Sequence, residues 1–308
     1  MIIDAHTDVL WKMLKDEKLD FYQSSDQLSL NFPKMINVGV SVQIFAIFVS
    51  TSKQPKFQQA IKSIDTFYEK IIKKADKIQL ATTYFQLEEI LKAKKIAGLL
   101  SLEGAEALEG DLSKLRILHK LGVKIIGLTW NHANEVADGI MEPRGGGLTT
   151  FGKMVIDEMN RLNMIVDVSH LSEKGFWDVV EITRKPIIAS HSNTRKFCNH
   201  PRNLTDKQIK AIIESGGMIG ITFVKNFVAN KDHATIDDLI LHIEHIAELG
   251  GISNVGLGSD FDGATTLSEL QDARDLDNLA NNLHKKFPSH IVRAILGDNW
   301  LNYFKRAL

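Results

Sequence analysis

Residues 164–191 read MIVDVSHLSEKGFWDVVEITRKPIIASH, and this stretch decides the fold. Two short runs rich in Ile and Val, 164–170 and 186–191, each finish on a histidine. Between them, 172–183 opens on a serine able to cap a helix and is amphipathic. A buried strand, a crossover helix and a second buried strand make a parallel β-α-β unit with a right-handed connection. The 21 residues from His170 to His191 amount to one helix plus one strand, so these imidazoles end neighbouring strands, roughly 5 Å apart.

The same pattern runs through the chain. Strand-like runs, poor in charge until their last residues, lie at 1–6, 38–49, 97–103, 124–130, 164–170, 186–191, 218–223 and 255–260. Helical signals fill the intervals at 57–77, 111–121, 149–162, 172–183, 205–214 and 235–249, and the chain closes with 277–287, 289–296 and 299–307. Eight alternating units predict an α/β fold of the closed (β/α)8 TIM-barrel type, forming one catalytic domain over residues 1–308. A length of 308 residues otherwise suggests two domains, but a barrel of roughly 250 residues is a standard exception. A doubly wound sheet is the runner-up.

Composition narrows the function. Lysine plus arginine is 37 against 38 aspartate plus glutamate, a balance that argues against nucleic-acid or anionic-membrane partners. The single cysteine, Cys198, rules out an internal disulfide framework and suits a reducing compartment. MIIDAHTDVL lacks the basic start and apolar core of a signal peptide, so the expected location is cytoplasmic.

The polar residues fall at the strand ends, where a (β/α)8 enzyme builds its site. His6 and Asp8 follow the first strand, Glu103 ends the third, and Asn131 and His132 follow the fourth. His170, His191 and Asp260 end the fifth, sixth and eighth. One such residue reads as a satisfied core polar group; six on one rim do not. His6 and Asp8, two residues apart, share a face of an extended strand. Glu103 stands between this pair and the two histidines in strand order, placed to bridge two ions. Imidazole and carboxylate donors without thiolate suit two Zn²⁺ per chain, with Mn²⁺, Co²⁺ or Fe²⁺ as substitutes.

Motifs along nearly the whole chain resemble the membrane (renal) dipeptidase family, bacterial-type zinc dipeptidases of the amidohydrolase-like superfamily. They include DAHTD (4–8), SLEGAEAL (101–108), GLTWNHAN (127–134), VADG (136–139) and GLTTFG (147–152). DVSHLS (167–172), IASHSNTR (188–195), HPRN (200–203), GLGSDFDG (256–263) and GDNWL (297–301) continue the series in order. The resemblance implies one zinc on His6, Asp8 and Glu103 and another on Glu103, His170 and His191. It implies Arg202 as anchor of the substrate carboxylate and Asp260 as proton carrier. A hydroxide between the metals then cleaves a small dipeptide, L-L and also L-D. Where many members carry a substrate-contacting histidine, this chain has Trp130, leaving His132, Asn131 or Asn134 as substitutes. The anchor tail and cysteines of animal members are missing, so membrane attachment does not carry over. The oligomeric state stays open, a homodimer included. The alternatives are another binuclear amidohydrolase (lactonase, N-acyl-amino-acid hydrolase or deaminase) and a metal-loaded binding protein without catalysis.

Four further features read as structural. His242 and His245 are taken as a solvated helix face, Cys198 as unactivated, Gly145–Gly147 as a mobile rim loop, and the lysines of 62–77 as solvated surface.

Overall fold

The computed structural model describes residues 1–49, 55–231 and 233–308. Within them, nine strands form one parallel sheet. They are β1 (Ile2–Thr7), β2 (Val40–Phe48), β3 (Ile78–Leu80), β4 (Ile96–Glu103) and β5 (Val123–Gly127), then β6 (Ile165–Asp167), β7 (Ile188–Ala189), β8 (Met218–Ile221) and β9 (Val255–Leu257). The order β2-β1-β9-β8-β7-β6-β5-β4 returns to β2 through a ladder from Val42↔Ala97 to Phe48↔Glu103, closing eight strands into the (β/α)8 TIM barrel. β3 is the strand that sequence reading missed. Its three residues pair with Ile96–Gly98 on the edge of β4 that β5 takes over from Leu100, a run too short to show alternation.

Alternation along each barrel strand builds two cores. Ile3, Val42, Ile44, Ala97, Leu99 and Ile125 form the interior cluster, while Phe45, Ile47, Leu100, Leu102 and Ile126 pack outward against the helices. The terminal helix Asn299–Ala307 closes the floor of the interior with Trp300, Tyr303 and Phe304. Its indole Nε1 donates to the Leu257 carbonyl at 3.0 Å and the Tyr303 hydroxyl to Pro186 at 2.8 Å. Asn299 Nδ2 donates to Ile252 and Val255.

Several strands are shorter than the apolar runs suggested. β6 stops at Asp167 and β9 at Leu257, because the backbone then turns, with His170 at φ +66° and Asp260 at φ +63°. These side chains sit on the loops above the barrel rather than in the ladders.

The expected caps are present. Thr149, Ser172, Thr205 and Thr235 each accept a backbone N–H of their own helix's first turn. The helix expected over 57–77 is Lys56–Thr66 continuing as a π-helical stretch Phe67–Ile72 and ending at Lys73–Ala75. Helices Val9–Lys15, Phe32–Val38 and Tyr84–Lys92 were not anticipated, although Asn31 followed by Pro33 is a usable start signal for the second. No helix among the described residues is long and apolar enough to cross a membrane.

Two readings are corrected. The segment around Gly145–Gly147 is tied down: Asp138 accepts from Arg144 Nε at 2.8 Å and from Gly146 N at 2.6 Å, and Asp178 from Leu148 N at 2.8 Å. His242 and His245, on helix Ile236–Glu248, are buried rather than solvated, because loops from neighbouring β-α units cover that face. His242 Nδ1 accepts the Thr194 N–H at 3.0 Å, and Nε2 donates to the Val228 carbonyl at 2.8 Å.

Burial holds His242 down at about 4, against the opposing pull of the Val228 carbonyl and Asp238. The folded value lies below the unfolded one near 6.5, so the unfolded chain takes up this proton first as pH falls. The contribution is complete above 6.5 and drains away between 6.5 and about 4, up to roughly 3 kcal/mol. Urea unfolding across this window should lose about one proton's worth of slope in His242→Gln; an unchanged slope would show that His242 does not titrate on unfolding.

Candidate metal centre and substrate cavity

The strand ends converge on one buried cluster. In β1 the three steps from Asp4 to Thr7 lie against two steps of β2, from Gln43 to Phe45, a register irregularity of the bulge type that re-aims side chains. His6 Nε2 comes to 3.6 Å from Asp8 Oδ2 and 3.5 Å from Glu103 Oε2. The other oxygen, Glu103 Oε1, lies 3.2 Å from His170 Nε2 and 3.8 Å from His191 Nε2. Glu103 thus turns one oxygen to each side.

Hydrogen bonding fixes how the histidines present themselves. His170 Nδ1 lies 2.8 Å from Asn131 Oδ1, an acceptor, so Nδ1 carries the proton. His191 Nδ1 lies 2.8 Å from Ser190 Oγ, whose own proton goes to Asp167. Asp167 is held in turn by the Ser169 and Ser190 N–H groups at 2.9 and 3.0 Å. Both imidazoles then point bare Nε2 lone pairs at one another across 2.8 Å. Two lone pairs that close repel unless a cation lies against both. Burial, followed by the nearby positive charge of Arg202 and His6, holds both rings well below the ordinary histidine value, keeping them neutral.

The carboxylate side is the electrostatic opposite. Burial pulls His6 down, but Glu103 and Asp8 outweigh it and raise it well above the usual value. Burial, then Glu103, pushes Asp8 up to about 6 against His6. Asp260 is raised well above the carboxylate range by burial first, with Asp8 and Glu103 adding to it against His6 and Arg202. His6 Nε2, Asp8 Oδ1 and Glu103 Oε2 are buried without a hydrogen-bond partner. Donor atoms from His6, Glu103 and His191 lie within 4.8 Å of one another, as do those from His6, Asp8 and Asp260, so either group can hold a metal ion. Orphaned buried donors of this kind fit a metal and are costly without one.

Surrounding residues lock the cluster. Asp4 accepts from Ser259 N and Oγ at 2.7 Å each and from Gln43 Nε2 at 3.0 Å, pinning the β1–β9 seam beneath His6. Asp262, also at positive φ, accepts from Lys12 Nζ at 2.9 Å and from Ser29 N and Leu30 N at 2.7 and 3.0 Å. At Gly263 a Cβ would stand 2.0 Å from Asp8 Oδ2 and 2.4 Å from Asp260 Oδ1, so only glycine lets the chain pass this close to both carboxylates. Sequence reading missed Asp4, Asp167, Ser190 and Gly263; their signal was their place beside the proposed ligands within the quoted motifs.

Above the cluster opens a cavity of about 550 Å³, with Asp8, Glu103, His170 and Asp260 toward its floor. Arg202 lines it too, buried, with Nη2 donating to the His191 carbonyl at 3.1 Å and Nε unpaired. Among the described residues no carboxylate lies within ion-pair distance of this guanidinium, and burial lowers it to about 10. Asn131 lines the cavity while holding His170. His132 does not join them: it is exposed, and Trp130 and Asn131 form the wall instead. Asn134 is spent on the loop itself, donating to Leu128 and accepting from Val136 and Ala137. Cys198 is buried against Asn226 and Asn230 with its thiol pushed up by burial, so it stays unactivated.

Comparison with known proteins agrees with this geometry. A Klebsiella pneumoniae protein known as the uncharacterized protein in the pqqA 5′ region is 35% identical over 242 residues, spanning 75% of this chain and 89% of that one. The crystal structure of a metallo peptidase from Rhodobacter sphaeroides, liganded with a phosphinate mimic of the dipeptide L-Ala-D-Ala, superposes with a TM-score of 0.93 at 25% identity, covering 100% of this chain and 99% of that chain. The dipeptidase AC, also a metallo peptidase, superposes with a TM-score of 0.92 at 26% identity over 99% and 98% of the two chains. The model of the membrane dipeptidase family, peptidase family M19, matches residues 1–307. With a match over that span, the chain belongs to the membrane dipeptidase family and is a metal-dependent dipeptidase.

Proposed function

We propose that the chain hydrolyses dipeptides with two zinc ions, one held by His6, Asp8 and Glu103 and the other by Glu103, His170 and His191. The observation that carries this reading is the split of Glu103, one oxygen facing His6 and the other the two neutral histidines. The nitrogen and oxygen donor set suits Zn²⁺, with Mn²⁺, Co²⁺ or Fe²⁺ as substitutes. When bound, a pair of cations lowers the pKa of a water between them so that hydroxide is available near neutrality, and polarises the scissile carbonyl.

The chain's own residues do the rest. Asp260 lines the cavity beside His6 and Asp8, where it takes the proton of the attacking water and returns it to the leaving amine. Arg202 binds the C-terminal carboxylate of the substrate, the partner that its unpaired Nε and buried guanidinium otherwise lack. A tripeptide places its carboxylate too far from the scissile bond. The Rhodobacter sphaeroides relative is liganded with a mimic of L-Ala-D-Ala, which supports L-D dipeptides as substrates beside L-L ones. Asp167 acting through Ser190, and Asn131 acting directly, hold the two histidines in the tautomer that offers Nε2. The proximity of Asp260 to His6 and Asp8 also supports a second role for it, as a ligand.

Elemental analysis after reconstitution should find about two metal ions per chain, with activity lost on chelation and restored by Zn²⁺. Glu103→Gln should lose metal and most activity. Full activity of metal-free protein would end the proposal.

Asp260→Asn separates its two roles. A proton carrier loses roughly 10²-fold or more in kcat and keeps its metal. Loss of metal from this variant would make Asp260 a ligand instead.

For Arg202→Ala, KM for free dipeptides should rise by the roughly 1.5–3 kcal/mol of a charge-assisted contact, with far less change for C-terminally amidated ones. Equal rates for dipeptides, their amides and tripeptides in the unaltered enzyme would replace the carboxylate anchor with a general amidohydrolase.

A further inference from the structure

The cavity has two unlike sides. Arg202 enters from the loop after β7, and β7 stands four places from β2 around the eight-stranded ring, directly across the mouth. The arc centred on β2, from β1 round to β5, is aromatic. Trp11 follows β1, Phe48 ends β2 and Trp130 follows β5; all three are half-buried and line the cavity. Trp11 meets Phe48 edge-on at 5.7 Å between ring centroids, and Phe48 meets Trp130 in the same way at 5.3 Å. The Trp130 ring then tilts against His170 at 6.2 Å. The three rings thus run down to the metal-centre floor, with one charged group against them, the exposed Lys15, whose Nζ stands 3.5 Å over the Trp11 ring.

We propose that Trp11, Phe48 and Trp130 form the recognition surface for the side chain of the substrate's N-terminal residue, selecting apolar and above all aromatic side chains there. The inference rests on the carboxylate anchor proposed for Arg202. With the C-terminal carboxylate on Arg202 and the scissile bond over the floor, the N-terminal residue must extend toward the far arc. A two-residue chain spans roughly 7 Å, which carries the first side chain well away from Arg202. An apolar side chain arriving there loses water on both surfaces and meets rings already arranged edge to face. A carboxylate side chain is stripped of water against the negative faces of these rings, whereas an ammonium can be accepted over a ring, as Lys15 Nζ is at 3.5 Å from the Trp11 centroid. Discrimination thus falls on the first residue, while the second, beside Arg202, His200 and Phe227, is chosen mainly by its carboxylate.

The test is kcat/KM of the zinc-loaded enzyme for Phe-Ala, Leu-Ala, Gly-Ala and Glu-Ala, against the reversed set Ala-Phe, Ala-Leu, Ala-Gly and Ala-Glu. Phe-Ala and Leu-Ala should exceed Gly-Ala and Glu-Ala by about tenfold or more, with a narrower spread in the reversed set. Trp130→Ala should compress the Phe-Ala to Gly-Ala ratio towards unity, and Phe48→Ala should do so independently if the first variant folds poorly. Glu-Ala or Gly-Ala matching Phe-Ala in the unaltered enzyme, or a larger spread in the reversed set, would overturn the wall. The same series as C-terminal amides separates the two readings. Amides cleaved as well as acids remove the anchor, and the wall then survives only if the first-position preference persists. Acids strongly preferred with a flat first position keep the anchor and remove the wall.

Discussion

Three carboxylates, Asp8, Glu103 and Asp260, are buried within a few ångströms of one another at the mouth of a barrel, and most of the structure answers to that crowding. Left alone, like charges in so little water drive one another toward the neutral form, and Asp8 and Asp260 are both pushed that way. His6 is pulled the other way, toward its charged form, by the same neighbours. A few paces around the ring, His170 and His191 are held neutral with bare nitrogens face to face. Anionic excess on one side and two opposed lone pairs on the other are both what bound metal ions would relieve, with Glu103 facing each side.

Holding that arrangement requires a rigid frame, and the frame is visible one layer out. The Asp4–Ser259–Gln43 network closes the seam beside β9, where β1 makes only the Asp4↔Leu257 pair within the named strands. Left-handed backbone at His170, Asp260 and Asp262 aims side chains that an extended strand would carry elsewhere. Such conformations cost free energy in non-glycine residues and persist where the surroundings over-determine them. Asp262, with three donors on its carboxylate, is one such surrounding.

Much of this was legible in the chain. The β-α alternation and the His, Asp and Glu residues at the run ends survive any detail of geometry, because buried parallel strands must be apolar until they leave the barrel. Strand ends were less legible: apolar character continues past Asp167 and Leu257, but hydrogen bonding does not, since positive φ at His170 and Asp260 is invisible to hydrophobic pattern. His242 misled for a related reason. Its polar neighbours suggest a wet helix face, whereas its two ring nitrogens are satisfied by the backbone of Thr194 and Val228, from segments 48 and 14 residues away. Asn131 was noticed as a polar residue near the substrate, and its contact with His170 gives it a positioning task as well. His132, one residue on, shares its composition signal and none of its location.

The floor helix Asn299–Ala307 has a bearing on how the chain comes to be folded. Trp300, Tyr303 and Phe304 complete an interior that also contains Ile3 and Ala5, so residues from the two ends of the barrel's sequence meet in one cluster. Until the helix docks, the lower cluster lacks its largest rings and the Leu257 and Pro186 carbonyls lack their indole and phenol donors. A barrel that closed before this helix docked would carry an open, apolar underside, the kind of surface on which partly folded chains associate. The indole of Trp300 is fully buried in the finished floor, so of the four tryptophans it is the one whose fluorescence would report the docking of this helix.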